Sequence, residues 1–270
     1  MPPVKFNLCR FLRPFADHSS IGLLSGRKQQ LIKDLGDQNI SFMESLAQMN
    51  PRVLMQILKR ASRNKVERLS IDSVGILSPI GEAQPVYVEG SMRVLNSKDD
   101  VVGPGEMIRI HDDTVPNIPT PGFVSMFSSE GRIVGYTSGT YIGPCQNQVA
   151  IPLSKSYAAG PTLVTGSKES EVKKWKVSLI VYRDKKIIFQ GESRIGDGGF
   201  FSFNKQRDSL FNSDNEFPNG AALFSEIDIV PEEGFNLEPG DVVEVKIPKI
   251  GTLRNTVAKI RLRTGLDSAG

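Results

Sequence analysis

The chain has 270 residues, of which 39% are hydrophobic and 25 are glycine, enough apolar side chains for a packed core and too many for a disordered or collagen-like chain. Its 33 Lys and Arg against 30 Asp and Glu leave a net charge of +3 without long runs of one sign, too weak a field to predict a nucleic-acid or anionic-membrane partner. Two cysteines, Cys9 and Cys145, cannot build a disulfide framework, and no apolar stretch approaches membrane-spanning length, so the composition predicts a cytoplasmic protein without a secretion signal.

Alternating apolar residues predict a strand over residues 4–11 and a short second strand at 21–24, closed by the Ser25-Gly26 turn. Ser41 and Glu44 have the capping-box spacing, and Asn50-Pro51 offers a second helix start with proline in the first turn. Val53, Leu54, Ile57 and Leu58 then form an apolar stripe at helical spacing. From about Leu69 the texture changes to short apolar or alternating runs cut by Gly and Pro. These predict strands at 86–88, 107–110, 123–127, 133–136, 175–182, 186–190, 222–229 and 242–247, with turns at Gly103-Pro104-Gly105 and Glu238-Pro239-Gly240-Asp241. Residues 204–211 predict one inserted helix. The pattern predicts a mostly β chain of the α+β class, divided into a small N-terminal region with strands and two helices (residues 1–80) and a large β domain (residues 81–270).

Standard catalytic signatures are absent from the sequence: there is no G-x-S-x-G, no phosphate-cradling G-x-x-x-x-G-K, no H-E-x-x-H and no C-x-x-C. With only His18 and His111, a histidine-rich metal site is ruled out. His18 lies in a polar loop. His111 and Asp113 would share one face of a strand and Asp112 the other, which reads either as an acid–base pair or as a solvated strand end. Cys145, after Gly143-Pro144, suits a nucleophile if a cation lowers its pKa, and a small buried residue otherwise. Lys155, between Ser154 and Ser156 with Tyr157 beyond, suits amine chemistry if desolvated, and an ordinary surface position otherwise. Arg261 and Arg263 read as a solvated strand edge.

The residues from Leu237 to Asn255, LEPGDVVEVKIPKIGTLRN, resemble the closing strand pair of the fumarylacetoacetate hydrolase superfamily. Upstream, VVGPGEMIRIHDD from Val101, GRIVGYTSG from Gly131 and PLSKSY from Pro152 occur in that family's order and spacing, as do FQGES, FPNG and IVP further on. The nearest flavour is the subgroup of dehydratases acting on 2-keto-3-deoxy sugar acids. The resemblance implies a rolled, mixed β-sheet, a homodimer, a small-molecule substrate and a bound Mg²⁺ or similar hard cation.

The departures from that pattern decide the functional expectation. Where the family has two metal-ligating carboxylates in a P-E-P-E turn, this chain has Thr120 and Gly122; where it has the ligating Asp of an N-D pair, this chain has Tyr141. The substrate-facing Arg corresponds to Cys145, followed by Gln146, and the T-G-T turn that contacts the substrate's acid group corresponds to Ser225, Glu226 and Ile227. The segment carrying the family's lid and catalytic His is shortened around residues 88–100. Lys155 matches the family's active-site lysine, with Tyr157 nearby. A hydroxyl, a missing side chain and a phenol in place of three anions cannot satisfy a hard divalent cation, and Glu226, Asp228 or Asp113 would rebuild a site only with new geometry. The resulting expectation is an enzyme without metal or other cofactor, of lyase, isomerase or cyclase type, acting on a carbonyl-rich, biosynthetic intermediate. Lys155, Tyr141, Tyr157, Cys145 and His111 are its candidate catalytic residues, and Thr120, Gln146, Ser225 and Glu226 its candidate substrate contacts. The alternative is a non-catalytic pseudoenzyme that binds or scaffolds.

Overall fold

The structure, a computed structural model, describes residues 5–25, 30–36, 46, 48–64, 68–89, 94–110, 116–143, 155–197, 202–211 and 216–259. In chain order its first half runs β1 (Phe6–Leu12), β2 (Ser20–Ser25), β3 (Leu31–Asp34), α1 (Pro51–Arg63), β4 (Arg68–Ser70), β5 (Gly75–Leu77), β6 (Pro85–Val88), β7 (Val94–Asn96), α2 (Ser97–Asp100), β8 (Val101–Val102), β9 (Met107–Ile110), β10 (Ile118–Phe127) and β11 (Ile133–Gly143). The second half runs β12 (Tyr157–Thr165), α3 (Glu169–Val172), β13 (Lys176–Arg183), β14 (Lys186–Arg194), α4 (Phe203–Leu210), β15 (Ala221–Glu226), β16 (Val242–Ile247) and β17 (Gly251–Lys259). Among the described residues no helix is long and apolar enough to cross a membrane.

The described strands form two sheets. The larger runs β4-β3-β2-β1-β12-β11-β10-β15-β6-β7, with β5 on β1 and β8 on β12; the smaller runs β14-β13-β16-β17-β9. Most neighbours are antiparallel, and the parallel pairs are β8 with β12, β6 with β15 and β9 with β17. This is the mostly β, mixed-sheet fold that the sequence predicts. Because β1 bonds to β12 through Phe6 opposite Thr165 and Leu8 opposite Leu163, the N-terminal strands continue the sheet of the later ones, and residues on both sides of position 80 share it.

Period-two burial builds the inter-sheet core. Val243, Val245 and Ile247 of β16 point inward between half-exposed or exposed neighbours and meet Phe123, Tyr136, Ile142 and Val164 of the larger sheet. Each such burial is worth about 1.5–3 kcal/mol before the entropy of ordering the chain is charged against it. A second core covers the other face of the larger sheet, where Leu8, Ile21, Val124, Met126 and Leu163 pack against Leu54, Leu58 and Ala61 of α1. Asn50 caps α1 by accepting a 2.9 Å bond from Arg52 N, and Pro51 opens its first turn. At the other end, buried Lys33 donates to the carbonyls of Ser62 at 2.7 Å and Asn64 at 3.0 Å, satisfying acceptors that a helix terminus leaves open.

The stretches that carry the family resemblance touch one another. Asn255 Nδ2 donates to the carbonyls of Gly103 at 2.8 Å and Glu106 at 2.9 Å, while Gly105 N donates to Arg254 O at 2.8 Å. A side chain at Gly103 would run into Ser78 N, so only glycine lets this turn close.

Three expectations are corrected. Val53 is half exposed and the buried stripe of α1 is Leu54, Leu58 and Ala61, because the helix meets the sheet about one position away from the predicted face. The strand at 133–136 continues to Gly143, and 157–165, which the pattern left without an element, is the strand joining the N-terminal strands to the rest of the larger sheet. The helix start at Ser41 and Glu44 and the arginines 261 and 263 lie outside the described residues.

Candidate functional site

Register brings the key positions together. Thr120 of β10 lies opposite Tyr141 of β11, and Tyr141 opposite Tyr157 of β12. Directly opposed residues project to the same face, so the three share one face with Gly122, which lies opposite Gly139 on one side and Glu226 on the other. The three positions matched to metal ligands in the sequence, Thr120, Gly122 and Tyr141, therefore converge on one patch.

That patch is built of rings over glycines. The rings of Tyr141 and Tyr157 stack with centroids 4.5 Å apart at 25°, and Tyr157 meets Phe224 of β15 edge-to-face at 5.4 Å. Phe224 lies over both Gly122 and Gly139: a Cβ at Gly122 would overlap its Cζ, and one at Gly139 would sit 2.6 Å from its Cε2. Gly143 gives Tyr141 the same clearance, since a Cβ there would overlap the phenol oxygen. All three rings are buried and belong to the core beneath α1.

This arrangement does not fit a hard divalent cation. Such ions take several oxygen ligands, carboxylates among them, at about 2.0–2.6 Å. Here Thr120 offers a neutral hydroxyl, its own carbonyl already accepting from Thr140 Oγ1 at 3.1 Å. Gly122 offers nothing, and a carboxylate side chain there would have to displace Phe224. Among the described residues no cluster of three His, Cys, Asp or Glu is placed to hold a metal.

The remaining candidates are separated. Ser225 alternates to the opposite face of β15, where its hydroxyl accepts from Gln206 Nε2 at 2.8 Å; Gln206 Oε1 in turn accepts from Ser125 at 3.1 Å, a buried network behind the patch. Glu226 is exposed at the end of β15 on the ring-bearing face, beside Gly122. Lys155 is exposed, two residues before Tyr157, with a left-handed φ of 65°, and its carbonyl accepts from Arg109 N at 2.9 Å. His111, Cys145 and Gln146 lie outside the described residues. The other cysteine, Cys9, is fully buried; burial pushes its thiol up to about 12, so it packs and does not react.

Phe224 is the residue that sequence reasoning missed. The available signal was alternation along the 222–229 run, which places 224 and 226 on the same face, combined with the glycine at 122 where the family pattern has a carboxylate.

No family model matches the chain. In sequence it is 29% identical over 174 residues to 2-dehydro-3-deoxy-D-arabinonate dehydratase of Saccharolobus solfataricus, covering 59% of this chain and 56% of that protein. It is 28% identical over 167 residues to a probable 2-keto-3-deoxyxylonate dehydratase of Haloferax volcanii, covering 59% and 57%. The chain thus spans a little over half the length of the curated relatives it matches. Among solved structures, a 2-keto-3-deoxy-D-arabinonate dehydratase complexed with magnesium and 2,5-dioxopentanoate superposes with a TM-score of 0.71 at 20% identity, covering 95% of this chain and all of that one. A fumarylacetoacetate hydrolase from Exiguobacterium antarcticum superposes with a TM-score of 0.66 at 17% identity, covering 94% and 100%. By its backbone, this chain has the fold shared by fumarylacetoacetate hydrolase and the 2-keto-3-deoxy sugar-acid dehydratases.

Proposed function

We propose that this protein is a divergent fumarylacetoacetate-hydrolase-like chain whose cation centre has become packed core, and that its β-roll acts as a non-catalytic binding or scaffold protein. The observation that supports this reading is the seat of Phe224 on Gly122 and Gly139, beside the Tyr141–Tyr157 stack. In this reading Thr120, Gly122 and Tyr141 stand in for the carboxylates, and the ring of Phe224 takes the space that a side chain at Gly122 would need. The reading is tested by incubating the purified protein with 2-dehydro-3-deoxy-D-arabinonate, the substrate class of its sequence relatives, with and without Mg²⁺ or Mn²⁺. The expected result is no turnover above the uncatalysed rate and no saturable Mg²⁺ binding by calorimetry. Metal-stimulated turnover that is lost on chelation overturns it.

A second reading, a metal-independent lyase, isomerase or cyclase acting on a carbonyl-rich small molecule, is favoured by Lys155. A lysine held at φ 65° carries a backbone cost of about 1–2 kcal/mol, and such strain gathers at functional positions. Its exposed ammonium could polarise a substrate carbonyl from the end of β12. This reading requires turnover that is insensitive to chelators and lost in Lys155→Ala.

A further inference from the structure

Of the sheet edges among the described strands, the outer edge of β14 is the longest. The others are short or engaged: β4 and β7 have three residues each, and in β9 Arg109 N donates to Lys155 O at 2.9 Å. Ile195 N donates to Trp175 O at 3.1 Å, so antiparallel alternation turns the backbone groups of Phe189, Gly191 and Ser193 toward β13 and those of Gln190, Glu192 and Arg194 outward. Asp197 closes one end of that outward row: Arg194 N donates to Asp197 Oδ2 at 3.0 Å, and Arg194 O accepts from Asp197 N at 3.1 Å. A bulge closes the other end, where Ile187 lies opposite Tyr182, Phe189 opposite Val181, and Ile188 is left over. What stays open is Gln190 and Glu192, placed symmetrically about Gly191, with no partner for their outward backbone groups among the described residues.

The side chains around this edge suit a contact. Gln190 and Glu192 are exposed on the solvent face of the smaller sheet. Glu192 already pairs with Lys176 at 2.5 Å and accepts from Ser178 Oγ at 3.2 Å, yet a carboxylate has room for further donors. Ile187 and Ile188 are among the large apolar side chains that the fold leaves exposed. On the inner face Ile229 sits over Gly191, its methyl where a Cβ would lie, and the next residue, Val230, is exposed as well. An open strand edge bordered by exposed apolar residues is a surface on which another strand can be laid.

We propose that β14 pairs antiparallel with β14 of a second copy of this chain, about a two-fold axis at Gly191, joining the two smaller sheets into one. In this register each Gln190 faces Glu192 of the other copy, so every open backbone group finds its complement and each side-chain amide meets a carboxylate. Gly191 faces its own counterpart in the close, non-bonded pair, where the backbones are about 4.5 Å apart and no side chain intrudes. The neighbouring registers are worse. Centring on Glu192 sets two carboxylates directly opposite and turns Gln190 to Arg194, whose groups Asp197 holds. Centring on Gln190 turns Glu192 to the bulged Ile188. This fit between the edge and itself is what selects a second copy over a foreign strand, and it holds whether or not the Tyr141 patch is catalytic.

The test is sedimentation velocity of the full-length protein across the micromolar range, with hydrogen exchange of residues 186–194 measured at the same concentrations. The expected result is a reversible dimer whose formation slows exchange in that segment. Gln190→Pro removes an outward N–H that the single chain does not use, and is expected to weaken the dimer at least about tenfold. Gln190→Glu sets like charges opposite and is expected to weaken it about tenfold, while Gln190→Lys, facing the same carboxylate, is expected to bind no more weakly than wild type. Circular dichroism confirms that each variant is folded. A wild-type chain that stays monomeric throughout, a dimer indifferent to Gln190→Pro, or equal effects of Gln190→Glu and Gln190→Lys each overturns the proposal.

Discussion

The guanidinium of Arg183 grips the buried carboxylate of Asp241 through two hydrogen bonds, Nε to Oδ1 at 2.9 Å and Nη2 to Oδ2 at 2.8 Å. Asp241 Oδ2 also accepts from Glu238 N at 2.9 Å, closing the turn before β16. The two ends of this pair are unequally exposed: the Arg183 side chain retains 32% of its surface and that of Asp241 only 1%.

That inequality predicts an asymmetry in mutation. Arg183→Ala strands a buried carboxylate and is expected to cost about 3–5 kcal/mol. Asp241→Ala leaves a cation that can turn to water, and is expected to cost about 2 kcal/mol, the worth of hydrogen bonds to a charged group. Urea unfolding of the two variants checks the order; an equal or inverted pair of losses would show that the turn, and not the charge, sets the cost.

The packing of Phe224 on Gly122 predicts strong coupling. Gly122→Glu is expected to destabilise the chain by about 3 kcal/mol or more because its Cβ meets the ring. Phe224→Ala alone is expected to cost about 3–5 kcal/mol through the cavity it leaves. Combined, the two should lose less than their sum by at least 1 kcal/mol, since each relieves the other. Thermal or urea unfolding of the four proteins of the cycle measures this directly, and strict additivity would remove the steric account of the patch.

Thr137 Oγ1 is fully buried and has no hydrogen-bond partner among the described residues. Thr137→Val replaces that hydroxyl with a methyl of similar shape. It is expected to stabilise the protein by about 1 kcal/mol, the lower end of the cost of an unmade bond, visible as a higher urea midpoint at unchanged slope.

Glu171 has its pKa lowered from the ordinary 4.5, first by the hydrogen bond from Lys5 and then by the N–H of Lys168. A carboxyl with a depressed folded pKa stabilises the fold above its unfolded pKa and loses that contribution as pH falls through the folded value. Glu171→Gln should therefore be less stable than wild type at pH 7 and indistinguishable from it in acid well below pH 4.5. Both residues are largely solvated, so the difference should also shrink in high salt.

What the sequence made legible follows from how local each feature is. Met107–Ile110 and Val242–Ile247 stand in the structure with the bounds that alternation and flanking Gly-Pro turns predict. β12 escaped because Gly160-Pro161 reads as a chain breaker, whereas the strand runs through that pair while its ladder with β11 shifts register. The convergence of Thr120, Tyr141 and Tyr157 depends on register between strands far apart in sequence, which no window of residues contains; the family pattern supplied that grouping. The role of Phe224 was invisible for the same reason, since its partners Gly122 and Gly139 come from two other strands. The family pattern sets Ser225 beside Glu226 as a substrate contact, although alternation alone sends the two to opposite faces.

The seating of β1 between β2 and β12 constrains how the molecule can be made. On the edge of β1 away from β2, β5 pairs with Arg10–Leu12, but the partner of Phe6–Leu8, β12, is synthesised some 150 residues after β1, roughly ten to thirty seconds at ordinary elongation rates. Until then that half of the edge is an open template for foreign strands. Assembly must therefore wait for a long-range closure of the kind that slows folding, and a fragment ending near residue 80 would be released with the same raw seam, prone to clump where the intact chain stays dispersed.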